Sequence, residues 1–207
     1  MLLLLMEKPH LHRGAVDQAE YALERARDAA RRVENAATFS DAETAWSDFI
    51  GLSQRIHSKL EQGAKGESQS LRWWGEIQHN RRTDPVLRYI HHARNADHHG
   101  IAPVIGRDPA RIALGVGGGR WKIDAKFGSG ELDARVEALG GQVPGQSKFV
   151  EVTPGSIRLV EVVDRGVHYE PPRGEDGNLL APSTAAQLAV DLLTKIVEGA
   201  KRLPEHS

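Results

Sequence analysis

Glycine and proline are distributed unevenly along the chain, and this limits the folds that it can adopt. Of the 21 glycines and ten prolines, only six glycines and two prolines lie within residues 1–100. Both residues interrupt helices and mark the turns between short strands. We therefore expect a helical first half, a β-rich module over residues 101–182, and an α+β fold overall.

Apolar residues recur at steps of three and four over four segments, residues 14–37, 40–63, 68–82 and 85–99. This spacing places them on one face of an amphipathic helix. Four such helices joined by short loops are typical of an antiparallel bundle, which we assign to residues 1–100. The side chains expected to face its core are Val16, Ala19, Leu23, Ala26, Ala30, Val33, Trp46, Phe49, Ile50, Ile56, Leu60, Leu71, Trp74, Ile77, Val86, Tyr89, Ile90 and Ala93.

Capping residues mark the ends of two of these helices. Ser40, followed three residues later by Glu43, forms a capping-box pattern at the start of the second helix. Asp84 can cap the fourth helix, Pro85 suits its first position, and Gly100 suits the residue just past its end. The fourth helix therefore has well-marked boundaries at both ends.

Residues 101–182 contain strand-like segments separated by turn signals. Residues 111–116 and 121–126 flank three consecutive glycines, and residues 156–163 and 167–170 flank a second turn. Both arrangements predict β-hairpins. The glycine-rich stretch lacks the Lys-Ser/Thr pair of a phosphate loop and precedes a strand rather than a helix, so we interpret it as a turn.

Residues 183–207 return to a helical pattern. Thr184 and Gln187 form a further capping-box pattern. An isolated amphipathic helix of this length is marginal in water, so we expect it to pack back onto the bundle or the small sheet. Its apolar stripe consists of Leu188, Leu192, Ile196 and Ala200, with Ala185, Ala189 and Leu193 beside it.

The formal net charge is −1 and the chain contains no cysteine. Disulfides, thiolate metal sites and cysteine nucleophiles are therefore excluded, and the charge balance argues against a strongly basic nucleic-acid coat. The apolar residues 1–6 are too few for a signal peptide and lack its basic start, so we interpret them as a docked terminal strand or helix end. No segment approaches the roughly 18 apolar residues of a membrane span, and we expect a cytoplasmic protein without membrane contact.

Residues 79–99 concentrate the side chains that can carry chemistry. This stretch contains five of the ten histidines and four arginines, but only two acidic residues. Asp97 falls nearer the apolar side of a helical wheel and is expected to need a partner. The residues that gather opposite the apolar face of the fourth helix are Arg88, His91, Asn95, His98 and His99.

This polar face has three interpretations. A solvated face normally uses Glu, Lys and Gln, but residues 85–99 contain no Lys or Glu. Histidine titrates near neutral pH, and a helix C-terminus favours its cationic form, so phosphate binding or acid–base chemistry on phosphate esters is an alternative. A metal site is disfavoured because His91 and His98, like His92 and His99, lie seven residues apart, about 10 Å along the axis. We expect no metal and no cofactor.

The run Arg94-Asn95-Ala96-Asp97-His98-His99 resembles the R-x4-6-H motif of the HEPN superfamily. In that family a polar residue often follows the arginine, as Asn95 does here; a second match, from Arg72 to His79, lacks it. The resemblance covers roughly residues 14–100 and implies a helical bundle that usually dimerises. Active members are metal-independent endoribonucleases of toxin–antitoxin, abortive-infection and CRISPR-linked defence systems.

By this resemblance, His99 would act as the acid/base, Arg94 would bind and stabilise the phosphate, and Asn95 would orient one of them. Metal-free RNA cleavage needs a base, an acid and positive charge at the phosphorus, and a homodimer would supply the second acid/base group. The implied partners are RNA or another phosphate-containing ligand, and an antitoxin or other protein. The surrounding residues expected to bind substrate are Arg88, His91, His92 and His98.

Two other functions are open to a chain with this sequence. It could be a non-enzymatic interaction module of bacterial or phage type, in which the β-rich part binds a partner and the bundle dimerises. It could also bind a nucleotide or another small phosphate through Arg88, Arg94 and the histidines. An open cleft shared by Arg94 and His99 of two subunits would favour the enzyme. Trp73 and Trp74 could stack on bases, but we expect at least Trp74 to pack in the bundle.

Overall fold

The structure is a computed structural model that describes residues 9–99, 103–108, 111–114, 120–128, 131–140, 150–153 and 155–206. Within these residues the chain forms five α-helices and ten strands, which confirms the α+β fold class. The helices are α1 (Arg13–Glu34), α2 (Phe39–Gly63), α3 (Ser68–Thr83), α4 (Pro85–His99) and α5 (Pro182–Lys201). The strands are β1 (Leu11–His12), β2 (Ile105–Asp108), β3 (Arg111–Leu114), β4 (Arg120–Gly128), β5 (Glu131–Gly140), β6 (Val150–Thr153), β7 (Ser156–Leu159), β8 (Val162–Asp164), β9 (Val167–Tyr169) and β10 (Glu205–His206).

The first four helices begin and end within three residues of the predicted bounds and form one bundle. Helix α1 packs against α2 and α5, and α4 packs against α2 and α3. Every predicted core side chain of α1, α2 and α4 is buried, because the three-and-four spacing directs them to one face. None of the described helices is both long and apolar enough to cross a membrane.

Helix α3 departs from the predicted inward face. Trp74 is buried as expected and Ile77 packs against the core, but Leu71 is 50% exposed. The inward position at this turn belongs to Ser70, whose hydroxyl accepts a hydrogen bond from the backbone N–H of His10 at 2.9 Å and donates one to the His10 carbonyl. This contact with the chain before α1 turns Leu71 toward solvent.

Helix α2 begins one residue before its predicted start, and its cap differs. Thr38 precedes the first helical residue, Phe39, and its hydroxyl accepts a hydrogen bond from the backbone N–H of Asp41 at 3.1 Å. The predicted capping box of Ser40 and Glu43 is therefore wrong, because Ser40 already lies inside the helix. Thr38 uses the same type of side-chain cap two residues earlier.

Helix α5 packs back onto the bundle, as predicted, and lies mainly against α1. Two polar contacts flank this apolar interface. The Lys201 Nζ donates to Glu20 Oε1 at 2.7 Å, and Arg27 Nη2 donates to Thr194 Oγ1 at 2.9 Å. The C-terminal helix thus completes the core that α1 begins.

Two details predicted for α5 are wrong. Leu188 is 41% exposed, whereas Ala185, Ala186 and Ala189 on the neighbouring side of the helix are buried. The capping box of Thr184 and Gln187 does not form at the helix start, because the helix begins earlier. Pro182 occupies the first helical position and Ala181 precedes it without a side-chain cap; the fixed backbone angle of proline suits that position.

The described strands form five two-stranded sheets, of which β1–β10 is parallel and the others are antiparallel. Strand β4 pairs with β5, and β3 pairs with β6, so the predicted hairpin of residues 111–116 and 121–126 is wrong. Only two residues separate β4 from β5, and such a short connection closes at low entropic cost. The glycines expected in the turn, residues 1–6 and Gly100 lie outside the described residues.

The second predicted hairpin is confirmed for its inner part, since β8 pairs with β9. Its two turn residues, Arg165 and Gly166, have φ angles of 52° and 78°. Positive φ at both central positions defines a type I′ turn, which matches the twist of paired strands. Residues 156–159, predicted as part of the same strand, instead form β7 and pair with β2. The tight turn leaves Asp164 at the end of β8, beside α4.

Replacing Asp84 with alanine is expected to lower the free energy of unfolding by about 1 kcal/mol. The predicted cap at this residue is confirmed: Asp84 Oδ1 accepts hydrogen bonds from the backbone N–H groups of Val86 and Leu87, both at 2.9 Å. Urea denaturation measures the change. Glu76→Ala, at an exposed position on α3, is the control and should change the stability by less than about 0.5 kcal/mol. An equal loss in both variants would contradict the cap.

Candidate functional site

The polar residues of α4 point in two different directions, so the cluster predicted as one site is divided. His92 and Asn95 contact the β8–β9 hairpin, whereas His91 contacts α2. Arg88 and His98 are exposed. The helical repeat separates His91 from His92 by about 100° and places Asn95 between them, so the repeat alone does not assign Asn95 to either side. Its contact with Asp164 places it with the hairpin group.

A carboxylate from the hairpin joins two of the α4 side chains. The Asp164 Oδ2 atom lies 2.8 Å from His92 Nδ1 and accepts a hydrogen bond from Asn95 Nδ2 at 2.9 Å. The side chains of His92 and Asp164 are 19% and 10% exposed. With the proton of the ring on Nδ1, His92 donates to Asp164, and its Nε2 is left as the nitrogen that can exchange protons with a ligand.

Asp164 is held in its ionised form. Burial alone would raise the pKa of this carboxyl group, but the hydrogen bonds from Asn95 and His92 outweigh it, and the pKa lies below its ordinary value. Hydrogen bonds that stabilise a carboxylate lower its pKa in this way. The pair therefore has the chemical form of an imidazole oriented by an anion, an arrangement that also occurs in acid–base catalysis.

An aromatic ring covers His92 from the hairpin side. Tyr169 on β9 stacks on the imidazole with a centroid distance of 3.5 Å and an angle of 12° between the rings. Nearby, the Tyr89 hydroxyl donates a hydrogen bond to the carbonyl of Val160 at 2.8 Å, and burial raises the pKa of Tyr89. These contacts fix the hairpin against α4 and limit the orientations of the His92 ring.

Two residues of the predicted motif, Arg94 and Asn95, lie next to each other on α4 and are in contact. Arg94 is partly buried, and its Nη1 donates a long hydrogen bond of 3.5 Å to Asn95 Oδ1. Asn95 therefore bridges Arg94 and Asp164. The side chain of His99 lies outside the described residues, so its relation to Arg94 stays a prediction. The partner expected for Asp97 is confirmed as Ser47, whose hydroxyl donates to Asp97 Oδ2 at 2.6 Å.

A second group of polar side chains lies between α2, α3 and α4. The Nδ1 atom of His91 lies 3.2 Å from Gln54 Oε1, and the ring of His91 meets the ring of His92 at a centroid distance of 5.0 Å. Burial, followed by the charge of Arg81, lowers the pKa of His91 to about 4. His57 is almost completely buried, and the same two causes lower its pKa to about 3. Both rings are therefore neutral at pH 7.

Three residues of this arrangement were missed by the sequence analysis. His57 was overlooked because it lies on the core face of α2, far along the chain from the histidine cluster. Asp164 and Tyr169 lie about 70 residues beyond α4, and only their place in a hairpin was predicted. No local pattern signals which hairpin residues will reach α4. Among the described residues, no group of three or more histidines and carboxylates is arranged to hold a metal ion.

Comparisons with known proteins give no further identification of the site. None of the protein-family models, curated proteins or solved structures compared with this chain matches it significantly.

The fold is expected to lose stability as the pH falls below about 6.5, because His57 is neutral when folded and takes up a proton when unfolded. Protonation of the folded state begins only near the lowered pKa of about 3. Replacing His57 with leucine removes this difference in proton uptake between the folded and unfolded states. Between about pH 6.5 and 4.5 the variant should lose about 2 kcal/mol less stability than the unaltered protein.

Urea denaturation at both pH values measures this difference. Leu188→Gln is the control, since Leu188 is exposed on α5 and neither side chain titrates, and it should keep the pH dependence of the unaltered protein. In the His57→Leu variant, His91 should still cause some loss of stability at low pH, and this loss should be smaller than that of the unaltered protein. An equally steep acid loss in that variant would show that His57 is not buried in neutral form.

Proposed function

We propose that this chain is a HEPN-like, RNA-directed protein that cleaves RNA without a metal ion, with its site on α4. The observation that carries the proposal is the chain of polar contacts from Arg94 through Asn95 to Asp164 and His92. It places a guanidinium and an oriented imidazole on the same helix. Both groups are required for chemistry on a phosphodiester.

In the proposed reaction, the 2′-oxygen of a ribose attacks the adjacent phosphorus atom, and the bond from phosphorus to the 5′-oxygen breaks. A base accepts the 2′-hydroxyl proton and an acid protonates the departing 5′-oxygen, so the products carry a 2′,3′-cyclic phosphate and a 5′-hydroxyl. His92 exchanges one of these protons through Nε2, because Asp164 occupies Nδ1. The cationic Arg94 stabilises the negative charge that grows on the phosphate oxygens.

The second acid/base group is supplied by another imidazole. The resemblance makes His99 the acid/base, and a second subunit of a homodimer would supply the second group. His91 is the other histidine beside His92, and its pKa of about 4 keeps it neutral, the form that can accept a proton. Asn95 acts as a positioning residue, because its amide joins Arg94 to Asp164. The exposed Arg88 is left to bind phosphate groups along the strand.

A non-enzymatic interaction module is the second candidate, and one observation favours it. Val163 and Val167 of the β8–β9 hairpin are 49% and 52% exposed, and exposed apolar side chains on a short edge can bind a protein partner. In that case the contacts among His92, Asp164 and Tyr169 would only fasten the hairpin to α4. The two functions differ in whether RNA is cleaved.

Purified protein incubated with single-stranded RNA in excess EDTA tests the proposal. We expect cleavage that leaves 2′,3′-cyclic phosphate ends, and we expect His92→Gln or Arg94→Gln to slow it by about 100-fold or more. His168→Gln is the matched control, because it changes an exposed histidine of the hairpin by the same chemistry. Thermal denaturation of each variant separates loss of activity from loss of folding.

Three outcomes would decide between the candidates. No cleavage by the unaltered protein would reject the enzyme and favour the interaction module, whereas full activity of both folded α4 variants would reject α4 as the site of cleavage. Full activity of His99→Ala alone would remove only the role that the resemblance gives to His99. Cleavage that requires a divalent ion would reject the mechanism given above.

A further inference from the structure

A small pocket lies behind the histidine pair of α4, between α2, the end of α3, α4 and α5. Both polar and apolar side chains line it. His91 is one of the lining residues and His92 is not, so the pocket adjoins the proposed site without including His92. The polar side chains that line it are Ser53, Gln54, His57, Arg81 and His91, and the apolar ones are Ile50, Leu87, Ile90 and Leu193.

Two of the residues that line the pocket have buried polar atoms without a protein partner. His57 is only 3% exposed, and neither of its ring nitrogens has a hydrogen-bond partner among the residues that the structure describes. The Nε atom of Arg81 is also buried and lacks one within the same residues. Buried polar groups left unsatisfied cost about 1–3 kcal/mol each. Arg81 Nε and one ring nitrogen of the neutral His57 are hydrogen-bond donors, and these two favour an occupant that accepts hydrogen bonds.

The charge in the pocket is positive. Arg81 keeps its proton even when buried, and the described side chains that line the pocket include no carboxylate. Glu61 and Arg82 act on Arg81 from outside the lining, with opposite effects on its pKa. A cation would be repelled by Arg81, whereas an anion would neutralise the guanidinium and accept hydrogen bonds from it.

The size of the pocket limits the occupant. Its volume is about 10 Å³, which is close to the minimum that holds one water molecule. A phosphate group does not fit without movement of the walls, whereas a monatomic anion requires only a small expansion. The apolar residues Ile50, Leu87 and Leu193 close the pocket with groups that offer no hydrogen bonds.

We propose that this pocket is a binding site for a monatomic anion of chloride size, held by Arg81 Nε and an N–H group of His57. Nothing in this proposal requires the chain to cleave RNA. The anion accepts one hydrogen bond from the guanidinium and one from the imidazole, and so satisfies the buried donors. Protonation of the second ring nitrogen of His57 becomes less unfavourable, because the bound anion offsets the charge of Arg81.

Anion binding is therefore coupled to proton uptake. Burial, Arg81 and His91 lower the pKa of His57, and a bound anion would raise it because a nearby negative charge favours the protonated ring. The affinity should rise as the pH falls. His91 faces the same pocket, and Asp164 and His92 act on it from the hairpin side, so the ring of His91 also takes part in this titration.

Bromide is the probe for the test. Crystals of the full chain grown with sodium bromide should show an anomalous peak between Arg81 and His57. The melting temperature should rise with the logarithm of the bromide concentration above the dissociation constant, but not with gluconate at equal ionic strength. Arg81→Gln should weaken bromide binding by about tenfold or more. Arg82→Gln removes an exposed charge from the same helix and should bind as the unaltered protein does.

The proposal fails if bromide diffraction shows a water molecule, or no anomalous peak, in the pocket. It also fails if folded Arg81→Gln and Arg82→Gln respond to bromide equally. If Arg81→Gln does not fold, the diffraction result on the unaltered chain decides. If the unaltered chain binds bromide but does not cleave RNA, the function proposed above is rejected and the proposal of an anion site still holds.

Discussion

The packing of α4 on two sides is the constraint on which the rest of the structure depends. Its apolar face lies in the bundle core, and its other sides contact α2 and the β8–β9 hairpin. Tyr89 joins these environments, because its ring is buried in the core while its hydroxyl binds the carbonyl of Val160. Ile105, Leu159 and Val162 extend the same core into the strands. The hairpin is thus part of the structure that orients α4.

The surroundings of each histidine, rather than its residue type, decide its chemistry. His57 and His91 are neutral because burial and Arg81 oppose a second positive charge. His92 follows His91 directly in the sequence but faces a carboxylate, and its ring is held by Asp164 and Tyr169. Neighbouring positions on one helix can therefore have different partners, because a rotation of about 100° places them in different environments.

The sequence predicted the helices well because their signals are local. The spacing of apolar residues fixed the buried faces of α1, α2 and α4, and the cap at Asp84 marked the start of α4. Errors arose where a local pattern had competing solutions. Leu188 belongs to an apolar stripe, but the alanine-rich side next to it is the buried one. Strand β4 pairs with β5 rather than β3, and periodicity alone does not choose between partners.

The sequence by itself determined the fold class, the helix boundaries and the position of the histidine- and arginine-rich stretch, since each depends on residues close together in the chain. Only the tertiary structure divided that stretch into two groups. Asp164 lies 72 residues from His92 and 69 from Asn95, and His57 reaches the pocket from the core face of α2. Contacts over such separations are set by how helices and strands pack together, and that packing depends on the shape of the whole core rather than on any single segment.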